Sequence, residues 1–245
     1  RGLGDVYKRQ LSMIIGGIQK NSFIDYPGKI SCVLFLKGCN FHCPYCHNPE
    51  LVDNINFPSL LFQEREVLEF LRGRKGLLEG VVISGGEPTL QKDLALLCEK
   101  IRDMGYPLKL DTNGSRPEVV DRLINQGLVN YVAMDIKTDP FGYAPHIVDH
   151  IDPTIIIDSI HLVMSSGLPY EFRTTCVRPF VDKKIIEEIG SHIRGARQYM
   201  LQGFHNTDRM LNPAFFEGIR PGYSDEELTG LMSIAQKWVS HCTVR

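Results

Sequence analysis

Three of the seven cysteines in this chain lie within the stretch GCNFHCPYCHNPELV. They are Cys39, Cys43 and Cys46, and their spacing is C-x3-C-x2-C. Clustered thiolates of this kind bind either zinc or an iron–sulfur cluster. The other cysteines are scattered, unlike the dense disulfide framework of a small secreted domain. The pattern favours a metal site in a protein of the reducing cytoplasm.

The missing fourth cysteine bears on which metal is bound. Structural zinc takes four protein ligands, so His47 or Cys32 would have to complete the set. Cys32 lies in an apolar run before the cluster, and His47 directly follows Cys46, so both are poorly placed to close a tetrahedron. An iron–sulfur cluster held by three cysteines would leave one iron open to a small molecule. The spacing favours the cluster, and a zinc-stabilised binding protein remains the alternative outside the enzymes.

Short apolar runs and helical patterns alternate along the rest of the chain, which predicts a parallel α/β sheet. The predicted strands are Ser31–Lys37, Gly80–Ser84, Pro107–Asp111, Tyr131–Lys137, Tyr170–Val177 and Gln198–Phe204. Helices are predicted between them, one of which has Thr89 as its N-cap and carries Cys98 on its apolar face. Because six β/α units are too few to close an eight-stranded barrel, we expect a partial, open (β/α)6 TIM-like barrel.

Length and composition set limits on the function. The chain has 245 residues and a net charge of −2, which gives no electrostatic reason to expect nucleic-acid binding. It contains no apolar run of the roughly 18 residues that span a membrane. We expect one domain from residue 13 to 245. Residues 1–12 resemble a translated sequencing adapter, so we expect them to be a non-native leader.

Unusual residues follow several predicted strands at their carboxyl ends. These segments are KGC, SGGEP, DTNGS, DIK and GFHN. Parallel α/β folds place their chemistry on the loops at this end of the sheet. Arg173 lies within a predicted strand, and a buried arginine needs an anionic partner, so it is a further candidate for the site.

The C-x3-C-x2-C motif, with the aromatic Tyr45 before its last cysteine, resembles the signature of the radical S-adenosylmethionine (SAM) superfamily. The motif Gly85-Gly86-Glu87 follows the next strand, where that superfamily has its GGE motif. The resemblance implies one 4Fe–4S cluster per chain on Cys39, Cys43 and Cys46. It also implies that SAM binds the open iron and is cleaved reductively to a 5′-deoxyadenosyl radical.

The resemblance also implies roles for individual residues, each of which has a simpler structural explanation. The residues implied to bind SAM are Tyr45, His47, Gly85, Gly86, Glu87, Asp135, Lys137 and His205. The glycines could instead serve a turn, Asp135 and Lys137 could form an ion pair, and His205 could be a surface residue. A monovalent cation is implied at Asp111, Thr112 and Asp135, although Asp111 and Thr112 could simply cap a loop.

The stretch FIDYPGKISCVLFLKGCNFHCPYCHNPELV resembles the glycyl-radical-enzyme activases along its whole length. The D-Y-P-G-K form at residues 25–29 is similar to the activating proteins of anaerobic ribonucleoside-triphosphate reductase. This implies a glycyl radical enzyme as partner and flavodoxin or ferredoxin as electron donor. Two enzymatic alternatives remain open. One is an activase of the pyruvate formate-lyase type, and the other is a radical enzyme that acts on a small molecule, for instance in deazapurine synthesis.

Overall fold

The strands of the computed structural model form one sheet in chain order. The structure describes residues 14–52, 61–204 and 209–245. The strands in these parts of the chain are β1 (Ile15–Ser22), β2 (Ser31–Leu36), β3 (Gly80–Gly85), β4 (Leu108–Thr112), β5 (Tyr131–Asp135), β6 (Tyr170–Cys176), β7 (Gln198–Gly203) and β8 (His241–Val244). Strand β1 is antiparallel to β2, and β2 to β8 run parallel to one another.

Helices connect the successive parallel strands. They are α1 (Pro49–Val52), α2 (Glu64–Gly73), α3 (Leu94–Asp103), α4 (Pro117–Asn125), α5 (Pro153–Ser165), α6 (Lys183–His192) and α7 (Asp225–Ala235). Short 3₁₀ turns lie at Pro88–Leu90, Pro140–Gly142 and Pro213–Phe216. Each crossover between neighbouring parallel strands therefore contains a helix, which is the usual form of the long connection that parallel pairing requires.

The open (β/α)6 barrel expected from the sequence is confirmed. All six predicted strands are present within a few residues of their expected bounds, and six helical crossovers join β2 to β8. In the described residues β1 and β8 are the two edges of the sheet and do not pair with each other. No helix in these residues is long and apolar enough to cross a membrane.

The two edge strands were not predicted. Strand β1 has the sequence IGGIQKNS, and most of its residues are at least partly exposed. Strand β8 has only four residues, and only Cys242 among them is buried. The predicted strands were recognised by continuous apolar runs. An edge strand does not need such a run, because its pairing depends on backbone hydrogen bonds rather than on burial of both faces.

The helix after β3 begins later than the sequence suggested. Its apolar stripe of Leu94, Leu97, Cys98 and Ile101 is buried as predicted. Thr89, however, is not its N-cap, because the helix begins at Leu94 and Thr89 lies in the preceding 3₁₀ turn. The backbone N–H of Thr89 donates to the buried carboxylate of Glu87, which holds the turn outside the helix.

Candidate radical SAM site

One cavity of about 270 Å³ lies at the carboxyl ends of the parallel strands. This volume is just below the usual range of about 300–1,000 Å³ for small-molecule sites. Its walls are the loop from Cys39 to Asn48, the turn Ser84–Gly86, the segment 111–113, and side chains at the ends of β5, β6 and β7. The structure therefore brings four of the five unusual segments of the sequence to one place.

The three clustered thiols line one wall of this cavity. Cys43 is buried, and Cys39 and Cys46 are partly buried. Burial raises the pKa of the Cys43 thiol to about 11, although the nearby charge of Lys137 acts in the opposite direction. Burial likewise raises the pKa of Cys39 to about 12. Loading a metal here therefore has to release protons from the thiols.

Gly85 and Gly86 bring the turn after β3 into close contact with the cysteine loop. A Cβ atom on Gly85 would lie 2.2 Å from the carbonyl oxygen of Leu36, and one on Gly86 would lie 2.1 Å from that of Gly38. The backbone N–H of Gly86 donates to Leu36 (2.9 Å), and that of Glu87 donates to Gly38 (2.8 Å). Both glycines are therefore required by packing between two backbone segments, whatever else this turn contacts.

Glu87 joins the ends of β3 and β4 and is completely buried. Its carboxylate accepts hydrogen bonds from the backbone N–H of Asn113 (2.6 Å), the hydroxyl of Thr112 (2.9 Å) and the backbone N–H of Thr89 (3.0 Å). Burial raises the pKa of this carboxyl, and the hydrogen bonds oppose that rise. Four donor groups on one buried carboxylate, the Thr89 hydroxyl among them, make Glu87 a structural support of the site, and a contact between Glu87 and SAM stays a prediction.

A network of six charged side chains forms another part of the cavity and the barrel interior beneath it. We call it the charge network, and its members are Lys109, Asp111, Asp135, Lys137, Glu171 and Arg173. Three positive charges balance three negative ones, as a largely buried group of ions requires. All six residues lie on or directly after three adjacent strands, β4, β5 and β6.

Arg173 is the centre of the charge network. Its Nε lies 2.7 Å from Asp135 Oδ1, and its Nη1 lies 3.2 Å from Asp111 Oδ2. Lys137 Nζ approaches the other oxygen of Asp135 at 3.0 Å. Burial alone would raise the pKa of Asp135, but the charges of Arg173 and Lys137 outweigh burial and lower it. The anionic partner expected for Arg173 is therefore present, since Asp135 and Asp111 lie close to its guanidinium and Glu171 lies further away at 3.9 Å.

Lys109 and Glu171 complete the network below the cavity. Lys109 is 1% exposed, and its Nζ lies 2.9 Å from Asp111 Oδ1 and 3.2 Å from Glu171 Oε1. Neither residue was predicted from the sequence. Lys109 lies two positions before Asp111 on β4, and Glu171 lies two positions before Arg173 on β6. Their position could have indicated them. A charged residue two positions before a site residue on the same strand has its side chain on the same face of the sheet.

The remaining predicted residues lie in different surroundings. His47 is exposed and stacks on Phe204 at 5.1 Å between ring centroids, at the rim of the cavity. Thr112 has its hydroxyl bonded to Glu87, and Asp111 and Asp135 are paired with protein cations. A monovalent cation at these oxygens stays a prediction, and it would compete with Arg173 and the two lysines. His205 lies outside the described residues.

Other lining residues were missed from the sequence. These are Asn48, Ser84, Asn113, Thr175 and Gln202, together with the apolar residues Phe41 and Val52. Thr175 and Gln202 are at the ends of β6 and β7, so their position in the sheet could have indicated them. Polar residues of these types are common on surfaces, and the sequence alone does not distinguish the ones that face a cavity.

The residues around the cavity fit an iron–sulfur cluster with a bound cofactor. Within the described parts of the chain, no three Cys, His, Asp or Glu side chains converge on the position of a single metal ion. The thiols instead surround part of a larger space, which suits a multi-iron cluster better than one zinc ion. The Tyr45 hydroxyl is buried in this wall and has no hydrogen-bond partner among the described groups. Charged groups of both signs face the same space and match a zwitterionic ligand.

Comparison with known proteins agrees with this geometry. The profile of the Radical SAM superfamily matches residues 33–191. A protein from Methanocaldococcus jannaschii, described as a glycyl-radical enzyme activating enzyme, is 34% identical over 96% of this chain and 97% of its own length. The pyruvate formate-lyase-activating enzyme of Streptococcus mutans is 25% identical over 86% of this chain and 87% of its own.

The fold is also shared with a solved structure. Streptococcus suis SuiB bound to S-adenosylmethionine superposes with a TM-score of 0.62 at 15% identity. The match covers 84% of this chain and 48% of SuiB, so this chain spans about half of the length of that protein. At this level of identity the likeness concerns the fold alone.

Proposed function

The chain belongs to the glycyl-radical-enzyme activases of the radical SAM superfamily, and we propose that its partner is anaerobic ribonucleoside-triphosphate reductase. In this proposal one hydrogen atom would pass from a backbone glycine of the reductase to the 5′-deoxyadenosyl radical, which would leave 5′-deoxyadenosine and a glycyl radical. The observation that carries the assignment to the activases is the 34% identity to the archaeal activating enzyme over nearly the full length of both chains.

The residues of the chain have distinct parts in this proposal. Cys39, Cys43 and Cys46 would hold a 4Fe–4S cluster, which would supply the one electron that splits S-adenosylmethionine into methionine and the 5′-deoxyadenosyl radical. The turn at Gly85 and Gly86 offers backbone groups to the ligand beside the cluster. These assignments rest on the resemblance and on the common cavity.

The charge network supplies groups for a ligand that carries both charges. Lys137 and Asp135 both line the cavity, where Lys137 would bind the ligand's carboxylate and Asp135 its ammonium or sulfonium group. Arg173 holds Asp135 ionised and oriented. Tyr45 and His47 lie on the cysteine side of the cavity and would contact the adenosine part. His205 is proposed for the same ligand from the segment after β7, and a monovalent cation near Asp111 remains part of the proposal.

The choice of the reductase as partner rests on the D-Y-P-G-K segment, which does not contact the site. This segment precedes β2, whereas the cysteine loop follows β2, so the two lie at opposite ends of a six-residue strand. Six residues of strand span about 20 Å. Tyr26 packs there against Tyr131, with ring centroids 5.9 Å apart. We therefore use the segment only as a sequence feature that the chain shares with one group of activases. It lies too far from the cavity to contact the radical glycine of the partner.

The pyruvate formate-lyase type is a second candidate, because the relative from Streptococcus mutans matches over most of both chains. An anaerobic mixture of this protein, S-adenosylmethionine, a reductant and the reductase of the same organism distinguishes the two. We expect a doublet in the electron paramagnetic resonance spectrum, since a glycyl radical retains one α-hydrogen. A reductase whose radical glycine is replaced by alanine is the matched control and should give no doublet.

The outcomes separate the candidates. A doublet on pyruvate formate-lyase but not on the reductase would contradict the proposed partner and keep the activase family. Cleavage of S-adenosylmethionine without a radical on either protein would favour a small-molecule substrate. Flavodoxin or ferredoxin can replace the chemical reductant, which tests the proposed electron donor. Localisation in the cytoplasm stays a prediction.

A further inference from the structure

We propose that Asn113 is a positioning residue that donates a hydrogen bond to the Cys39 thiolate and thereby raises the reduction potential of the cluster. The proposal rests on the assignment of the cluster to Cys39, Cys43 and Cys46. It does not depend on the identity of the partner enzyme. Asn113 was not among the residues predicted from the sequence.

Asn113 lies directly after β4 and is 5% exposed. Its side-chain Nδ2 lies 4.0 Å from Cys39 Sγ, which is at the long end for a hydrogen bond to sulfur. The same sulfur also accepts the backbone N–H of Phe41 at 3.4 Å. Cys39 therefore receives one backbone donor from its own loop and one side-chain donor from a different strand end.

The orientation of the Asn113 amide follows from its neighbours. Its Oδ1 accepts the backbone N–H of Ser115 at 2.9 Å, and its Nδ2 donates to Asn40 Oδ1 at 3.1 Å. The opposite orientation would place the amide N–H₂ against the N–H of Ser115, and would turn the amide oxygen toward the sulfur. Because a backbone N–H can only donate, the hydrogen-bond network directs the donor side of the amide to Cys39.

The backbone of Asn113 is also fixed. Its N–H donates to Glu87 Oε2 at 2.6 Å, and Glu87 is held in turn by the close packing of the glycine turn against the cysteine loop. The side chain is therefore anchored at its backbone and at its oxygen, with the N–H₂ group left for Asn40 and Cys39. This is the arrangement of a residue that orients and supports a metal ligand from outside the ligand set.

A donor to a cysteine sulfur changes the electrostatics of the cluster in a defined direction. Reduction adds negative charge to the cluster and its thiolates, and an N–H group that points to a sulfur stabilises the reduced form more than the oxidised form. Loss of the donor should therefore lower the reduction potential. We expect a change of at most about tenfold in the equilibrium constant for one-electron reduction, which equals 59 mV.

The test compares Asn113→Ala with Ser115→Ala in the reconstituted enzyme. The Ser115 hydroxyl belongs to the same network, because it accepts from Asn40 Nδ2 at 2.9 Å, but it does not contact the sulfur. Its substitution also keeps the backbone N–H that binds Asn113. Redox titration followed by electron paramagnetic resonance should show a lower potential for Asn113→Ala and the wild-type potential for Ser115→Ala. Equal potentials in all three proteins would overturn the proposal.

A second variant separates the donor from the structural role of the side chain. Asn113→Asp keeps an acceptor for the Ser115 N–H and has no N–H to offer the sulfur. Electron–nuclear double resonance after exchange into deuterated water should show one exchangeable hydrogen coupling fewer in Asn113→Asp than in the wild type. An unchanged set of couplings would overturn the proposal. Neither measurement requires the partner enzyme, so failure here is distinguishable from failure of the proposed function.

Discussion

The cysteine loop and the charge network face the same cavity, but the chain builds them in different ways. The three thiols come from one loop between β2 and α1, and their relative positions follow from local backbone geometry. The six charged residues come from three strands, and Lys109 and Arg173 meet around Asp111 only because β4, β5 and β6 are adjacent in the sheet. The loop is thus specified by spacing in the sequence, and the network by register between strands.

The two regions should also respond differently to mutation. Loss of a thiol should remove the metal and leave the sheet in place, since the loop lies outside the strands. Loss of a charge below the cavity should weaken the sheet itself, because an unbalanced ion would remain in the barrel interior. The following predictions test this difference, beginning with the largest effect.

Cys43→Ala should abolish the cluster, because a thiolate ligand is lost and the described cavity wall holds no thiol beyond those of Cys39 and Cys46. Iron analysis and visible absorption after anaerobic purification measure the result. Cys98→Ala is the matched control, because Cys98 is also buried but lies on the apolar face of α3. Full iron content and cleavage of S-adenosylmethionine in Cys43→Ala would contradict the assignment.

Lys109→Met should destabilise the folded protein by about 3–5 kcal/mol, since it leaves Asp111 and Glu171 partly uncompensated in the barrel interior. Chemical denaturation under anaerobic conditions measures the change. Lys184→Met provides the comparison, because Lys184 forms a surface pair with Glu188 and its side chain is 82% exposed. That variant should change stability by no more than about 0.5 kcal/mol. Similar losses in both variants would show that the network has no special role.

Lys137→Ala and Asp135→Asn should weaken S-adenosylmethionine binding by roughly tenfold or more, as expected when a charged hydrogen bond is lost. The cluster should still assemble, because neither residue is a thiol ligand. Calorimetric titration measures the affinity, and iron analysis checks the cluster. Lys237→Ala, at a surface pair with Glu187, is the control and should bind normally. Unchanged affinity in both site variants would leave Asp135 and Lys137 as a purely structural ion pair.

The smallest expected effect is a change in the acid dependence of stability. Burial alone would raise the pKa of Asp135, but Arg173 and Lys137 lower it below the unfolded value of about 3.9. Its stabilising contribution is therefore complete above about pH 4 and is lost as the pH falls through the lowered folded value. Asp135→Asn lacks this contribution at every pH.

Denaturation of the wild type and of Asp135→Asn at pH 7 and at pH 3 measures the difference. The gap in unfolding free energy between them should narrow at pH 3. The raised pKa of Glu87 contributes in the opposite direction but is common to both proteins, so it cancels in the comparison. A gap that is the same at both pH values would show that Asp135 is not held ionised by its neighbours.

Much of the fold could be predicted from the sequence, because the central strands are continuous apolar runs and the helices between them are amphipathic. The edge strands β1 and β8 could not, since neither is buried on both faces. The start of α3 was misplaced because a 3₁₀ turn uses the Thr89 N–H for a buried carboxylate. Propensity gives no indication of such a tertiary hydrogen bond.

The sequence by itself determined that Cys39, Cys43 and Cys46 lie close together. Three cysteines at fixed spacing on one short segment must stay close together in any fold, and so must Gly85 and Gly86, which are adjacent in the chain. The reason is that neighbours in the chain cannot separate further than the backbone allows.

Only the tertiary structure decided which other residues join them. Lys109, Glu171 and Asn113 enter the site through strand register and through packing of the glycine turn against the cysteine loop. The chain between residues about 60 positions apart, such as Asp111 and Arg173, is long enough that connectivity does not bring them together before the sheet forms. Their contacts therefore depend on the register of neighbouring strands, which the spacing of these residues in the sequence does not show.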